Sequence, residues 1–202
     1  MIILGLTGSI GMGKTTAANM LRATKGVAVH CADETVRALY DKPAVKGLIR
    51  TTFPESYDRK HNRIDKNALL ESLDYDHEKW DALEDILHPF VREAQQKWLR
   101  LQHISGTKLA VLDIPLLFET GAQDRVNFTV VVTAPSWIQR RRLLQGRGMS
   151  EEGLAFRLAR QMPDAEKRAQ ADFVIHSGLG LARTRRELAD MIRVLTSRED
   201  IA

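Results

Sequence analysis

Gly8-Ser9-Ile10-Gly11-Met12-Gly13-Lys14-Thr15 fits the pattern G-x-x-x-x-G-K-[ST] at every position. The run from Met1 to Thr7 before it is short, apolar and compatible with a β-strand, and Thr16 to Leu21 after it can begin a helix. A strand-to-helix turn is the context this motif requires.

The residue types follow from phosphate binding by backbone. Gly8, Gly11 and Gly13 carry no side chain to block a ligand and can take positive φ, so successive N–H groups can turn inward as an anion-binding nest. The dipole of the following helix points the same way. Lys14 supplies a movable ammonium for the β- and γ-phosphates of ATP, and the Thr15 hydroxyl suits Mg²⁺. Thr16 and the Met12 backbone complete the expected nucleotide contacts. The bland alternative, an ordinary glycine-rich turn, would not demand all eight positions and both flanks.

With 202 residues, the chain is long enough for one α/β domain with a sizeable core. Hydrophobic residues make up 44% and charged residues 28%, which excludes disordered and fibrous classes. A net charge of +4 suits an anionic ligand and equally suits weak nucleic-acid contact, so it decides nothing alone. Cys31 is the single cysteine, which excludes an internal disulfide and fits a reducing compartment. No long apolar span appears, and Met1 leads into a strand without a basic leader. These features predict a cytoplasmic protein without a membrane partner.

Gly26 to His30 reads as a second strand, with a helix expected near Thr35 to Tyr40. Asp33 then stands at a strand end, where open α/β sheets place ligands. Local sequence leaves it open between a helix N-cap and a general base. From Asp41 to Asp65, prolines and scattered charges predict short helices and loops, and Asn62-Arg63-Ile64-Asp65 is only a chance likeness to a guanine-reading motif. Between Asp76 and Gln102, apolar residues Trp80, Leu83, Leu87, Val91, Ala94, Trp98 and Leu101 recur at helical spacing. The two tryptophans read as packing, and Pro89 predicts a break or kink near His88.

Leu109 to Asp113 is a buried-strand run closing on an aspartate, which could hold Mg²⁺, directly or through water, or simply end a strand. Glu119 nearby could assist or cap a helix. Val126 to Thr133 forms another β-rich run, and Pro135 opens a helix carrying Gln139, Arg140, Arg141 and Arg142. A run of arginines is usually a solvated face; following a strand end, it also suits a lid whose guanidinium forks meet a transferring phosphoryl group. A second lid helix is expected from an N-cap at Ser150, carrying Arg157, Arg160 and Gln161. A short helix over Pro163 to Gln170, a strand over Asp172 to Ile175 and a closing helix over Leu181 to Thr196 complete the expected elements.

With those segments placed, the sequence resembles the dephospho-coenzyme A kinase family nearly end to end. The likeness rests on Gly5 to Thr15, Ala32-Asp33, Leu87-His88-Pro89 with Val91-Arg92, Pro115 to Glu119, Gln139 to Leu143, Arg157 with Gln161, and Ala171-Asp172. It implies an α/β, three-layer P-loop NTPase fold with a five-stranded parallel sheet of the nucleoside-monophosphate-kinase type. One kinase domain over residues 1–202 is expected, with a core at 1–40, 105–135 and 171–202, a helical acceptor-binding region at 41–104 and a lid at 136–170. The implied activity is ATP- and Mg²⁺-dependent phosphorylation of the ribose 3′-hydroxyl of dephospho-CoA, the last step of coenzyme A biosynthesis. By the same resemblance, Asp33 matches the family's proposed base and Arg140 a lid arginine that stabilises transferred charge; the loop motif adds Lys14 as the third catalytic residue and Thr15 as a metal ligand, and the strand end adds Asp113 as the other. A monomer is expected.

The family often has Asp-Ala-Asp where this chain has Cys31-Ala32-Asp33, and an Asn-containing turn where this chain has His176-Ser177-Gly178. Another small-metabolite or nucleotide kinase is the alternative within enzymes. A GTPase-like switch is disfavoured because Leu116 stands where a glycine should follow the Asp113 strand. A nucleic-acid binder is disfavoured because aromatic residues are only 6% and none interleave the arginines as a recognition motif.

Overall fold

A computed structural model describes residues 1–199. Five parallel strands form the main sheet in the order β2-β5-β1-β6-β7: β1 (Ile2–Thr7), β2 (Val27–Cys31), β5 (Leu109–Asp113), β6 (Phe128–Thr133) and β7 (Phe173–His176). β1 is central, pairing Leu4 with Val111 of β5 and with Phe128 of β6, so the chain must cross over between neighbouring strands. Such crossovers need helices, and helices on both faces make the strands apolar throughout. All five residues of β5 are buried accordingly.

Alternation along the strands sorts the two faces. Leu4, Leu6, Leu109, Val111, Val130, Val132 and Ile175 point to one face and pack with Ala17, Ala18 and Leu21 of α1 (Lys14–Arg22). Leu188, Met191 and Leu195 of α9 (Leu181–Glu199) close the same cluster. On the other face, Leu117 lies against Gly5, where an added Cβ would stand 3.1 Å from its methyl carbon. Full burial of each Leu or Val contributes about 1.5–3 kcal/mol, so this two-sided core dominates the stability of the sheet.

Residues 1–30 and those from 99 onward make one compact unit, and residues 31–98 make a second. Its elements are α2 (Ala32–Leu39), α3 (Pro43–Thr52), β3 (Tyr57–Asp58), β4 (Arg63–Ile64), α4 (Lys66–Leu73) and most of α5 (His77–Ile104). Leu39, Val45, Ile49, Phe53, Leu69, Leu73, Leu83, Leu87 and Val91 make its core, and Trp80 packs against it. The antiparallel β3-β4 hairpin replaces the loops expected there. Its turn is tied by Asp58, which accepts from the Lys60 and His61 N–H groups and from His61 Nδ1 at 2.7 Å. Asp65 is no nucleotide contact; it caps α4 by accepting from the Asn67 and Ala68 N–H groups.

Pro89 does not break α5, which runs unbroken for 28 residues. Proline costs one N–H donor there, but Leu83, Leu87 and Val91 on either side are buried along one stripe, and their packing outweighs a single lost bond. Leu101 lies outside that stripe and is half exposed. Helix α2 begins at Ala32, three residues earlier than expected, which puts Asp33 inside its first turn. Among the described residues, no helix is long and apolar enough to cross a membrane.

Candidate active site

Glycine chemistry shapes the loop between β1 and α1. Gly13 has φ +91°, a left-handed conformation, and a Cβ there would stand 2.8 Å from Ser177 Oγ. At Gly8 the obstacle is backbone, since a Cβ would stand 2.6 Å from the Val132 carbonyl oxygen. Both positions therefore exclude side chains, one by conformation and the other by close approach.

Lys14 opens α1, and its Nζ donates to Asp113 Oδ1 at 2.5 Å. The two side chains are only 13% and 5% exposed, so this is a largely desolvated pair at the carboxyl ends of β1 and β5. Thr15 and Thr16 are exposed, and their hydroxyls make no hydrogen bond among the described residues. The Met12 side chain is buried with Ala134 and Ile138, and its sulfur accepts from the Ala134 N–H at 3.2 Å. The Met12 N–H itself donates to the Ser9 carbonyl.

The loop is clasped by side chains from far along the chain. Gln139 Nε2 donates to the Ile10 carbonyl at 2.7 Å, while the Ile10 N–H donates to Gln161 Oε1 at 3.0 Å. Arg142 donates to the Gly11 carbonyl at 3.1 Å and to Ser177 Oγ at 3.0 Å. Ser177 Oγ in turn donates to the Met12 carbonyl at 2.5 Å. These carriers come from α6 (Ser136–Arg140), from the wider π-turn Arg141–Gln145, from the link just beyond α7 (Glu151–Ala159) and from the turn after β7. Sequence reading names Gln139 and Gln161 without a role and Arg142 as one of the lid arginines; glutamine carries no local pattern signal, and the bonds from these three residues to the loop each span more than a hundred positions.

Arg140 does not touch the loop. It is exposed and pairs with Glu151 at 2.5 Å, where α7 begins. Arg141 stacks over Trp137. Ser150 caps α7 as expected, accepting from the Gly153 N–H, but Arg160 and Gln161 fall just beyond the helix. Glu119 caps nothing: its Oε1 accepts from the Met162 N–H at 2.8 Å and lies 2.7 Å from Lys167 Nζ of α8 (Asp164–Gln170). Asp172 is a strand clamp, accepting from the Thr129 N–H and hydroxyl, both at 2.8 Å.

In the second unit, Asp33 is the second residue of α2, exposed, with no hydrogen-bond or ion-pair partner among the described residues. The helix N-cap is Cys31, and no side chain caps it. The capping alternative for Asp33 is thereby removed. A first-turn carboxylate still favours the helix dipole by about 0.3–1 kcal/mol.

Among the described residues no three His, Cys, Asp or Glu side chains are grouped to hold a metal ion. The free Thr15 hydroxyl and the Asp113 carboxylate are hard oxygen donors, a sparse set that suits Mg²⁺, which commonly takes one or two protein oxygens and completes its shell with phosphates and water.

The turn that carries Ser177 is braced by Glu187 of α9, which accepts from the His176 N–H at 2.7 Å and pairs with Arg183. Burial pushes the Glu187 carboxyl up, but the His176 N–H, the Arg183 guanidinium and the His176 imidazole outweigh it and hold it below its usual value of 4.5. A depressed carboxyl stabilises the fold above the unfolded pKa, and that contribution disappears as pH falls through the folded value. Glu187→Gln should thus lower Tm at pH 7 and progressively less below pH of about 4. Thermal melts of both proteins from pH 7 to 3 check this, and a constant Tm gap would contradict it.

Comparison with known proteins adds three findings. A family model described as dephospho-CoA kinase matches residues 2–182. The dephospho-CoA kinase of Brucella melitensis is 45% identical over 198 residues, covering 98% of this chain and 97% of its own. Among solved structures, a Thermus thermophilus protein superposes with a TM-score of 0.77 at 34% identity, and the dephospho-CoA kinase from Campylobacter jejuni with 0.64 at 24%. Each covers 96% of this chain and 96% of its own.

Proposed function

The chain belongs to the dephospho-CoA kinase family, and from that premise we propose that it transfers the γ-phosphoryl group of ATP to the ribose 3′-hydroxyl of dephospho-CoA, giving CoA and ADP. The observation that carries the chemistry is the clasped loop from Gly8 to Thr15, with Lys14 held beside Asp113. Loop N–H groups and Lys14 take the β- and γ-phosphates, and fixing the loop beforehand avoids reorganisation when charge develops. Met12, Thr16 and the three loop glycines complete the proposed nucleotide site.

Asp33 is the proposed base. It accepts the proton of the 3′-hydroxyl as that oxygen bonds to the γ-phosphorus and the bond to the β-phosphate oxygen breaks. Support comes from its free, exposed carboxylate two residues beyond the last residue of β2, and from its match to the family's acid. Thr15 and Asp113 are the proposed holders of Mg²⁺, an ion that neutralises developing phosphate charge. Arg140 is proposed to meet the transferred charge after releasing Glu151, an exposed pair worth no more than about 1 kcal/mol.

Residues 31–98, close to the range expected for acceptor binding, are proposed to bind dephospho-CoA, and residues 136–170 to act as the lid. A monomer is the proposed working unit, and the unbridged Cys31 thiol fits the cytoplasm. Coupled ADP release should rise well above the ATP-only rate with dephospho-CoA and stay near background with AMP, CMP or shikimate. Turnover with one of those controls in place of dephospho-CoA would move the assignment to another small-metabolite kinase.

A further inference from the structure

Lys167 is the largest side chain with no exposure at all, an ammonium in the interior of an α/β protein. Among the described residues its Nζ finds one carboxylate, Glu119 Oε1, at 2.7 Å, and no well-aligned hydrogen bond. An apolar residue would fill that face of α8 at less cost, because buried ion pairs seldom repay their desolvation. The pair therefore calls for an explanation other than stability.

Its partner supplies one. The same Glu119 oxygen that meets Lys167 accepts from the Met162 N–H at 2.8 Å. Met162 adjoins Gln161, whose Oε1 takes the Ile10 N–H of the phosphate loop. The link between α7 and α8 has no regular structure, and Pro163 within it has no N–H to offer. Gln161 is thus aimed by a segment whose backbone is anchored one residue away on Glu119.

We propose that Glu119, held in place by the buried Lys167, positions Gln161 so that the Ile10 peptide is fixed for nucleotide binding. Both groups are positioning residues and touch no substrate. Ile10 is gripped from both sides, its carbonyl by Gln139 and its N–H by Gln161, so slack in the 160–163 segment reaches the loop directly. This inference rests on the loop being the ATP site.

Isothermal titration of MgATP without acceptor tests it. Two charge-free double variants of similar volume differ chiefly in the acceptor offered to the Met162 N–H: Glu119→Gln with Lys167→Met retains it, and Glu119→Leu with Lys167→Met removes it. The first should bind within about threefold of wild type, and the second about tenfold more weakly, the scale of coupling between contacting groups. The KM for dephospho-CoA should change by less than about twofold in both. In a Gln161→Ala background the deficit of the second variant should vanish, since the device it disables is already gone. Lys167→Met alone should lower both Tm and ATP affinity, since it strands the Glu119 charge. Equal ATP binding by the two double variants, or losses that add to that of Gln161→Ala, would overturn the proposal. Wild-type protein that binds no MgATP would instead remove the ATP site itself.

Discussion

Asp33→Asn is expected to lower kcat by about 10²-fold or more while leaving MgATP affinity nearly unchanged. The substitution keeps size and shape and removes one property, the capacity to accept a proton. Because Asp33 has no partner among the described residues and is not the N-cap of α2, little structure is lost with its charge. Only the first-turn dipole interaction goes, about 0.3–1 kcal/mol, so Tm should fall by no more than a few degrees. A kcat within about twofold of wild type would leave Asp33 as a surface residue of a helix.

Lys14→Met should be the most damaging change in the loop. An ammonium that meets the β- and γ-phosphates acts where charge develops, and losing one such donor costs about 10²- to 10³-fold in kcat. The structure adds a second cost. Asp113 is 4% exposed and pairs with Lys14, so methionine takes the ammonium away from a buried carboxylate, which destabilises by up to about 3–5 kcal/mol. Lys14→Arg separates the two effects. It keeps the positive charge beside Asp113, yet a planar fork does not reproduce a compact ammonium at the phosphates. Turnover should therefore stay low in Lys14→Arg while Tm recovers most of what Lys14→Met loses. Recovery of turnover together with Tm would show that a compact ammonium is not needed at the phosphates.

Most of the fold was legible because its signals are local. The β1 run, the loop motif and the apolar strand ending at Asp113 each declare themselves within ten residues. Ser150 was legible for the same reason, since an N-cap acts three residues away. What could not be read lies in contacts across the chain. Nothing near Gln139 or Gln161 marks them as the two holders of the Ile10 peptide, and nothing in the arginine run distinguishes Arg142, which grips Gly11 and Ser177, from the solvent-facing Arg140. Glu119 was read as a metal assistant or a cap because its partners, Met162 and Lys167, lie more than forty positions away.

Local rules also failed where packing opposed them. Of the break or kink expected at Pro89, the break is absent, and the buried stripe on α5 carries the helix through. The β3-β4 hairpin was hidden because its strands are two residues each and its turn is held by the Asp58 side chain rather than by a glycine pair. Ser177, in the turn after β7, secures the loop through the Met12 carbonyl and Arg142, contacts that span up to 165 positions.

The central claim is that a phosphoryl group passes from ATP to one particular oxygen. Wild-type protein incubated with MgATP and dephospho-CoA should yield ADP and a phosphorylated acceptor in equal amounts, with phosphorus NMR placing the new phosphate on the ribose 3′-oxygen. Unmodified dephospho-CoA beside accumulating ADP and free phosphate, or a phosphate at any other position, would contradict it.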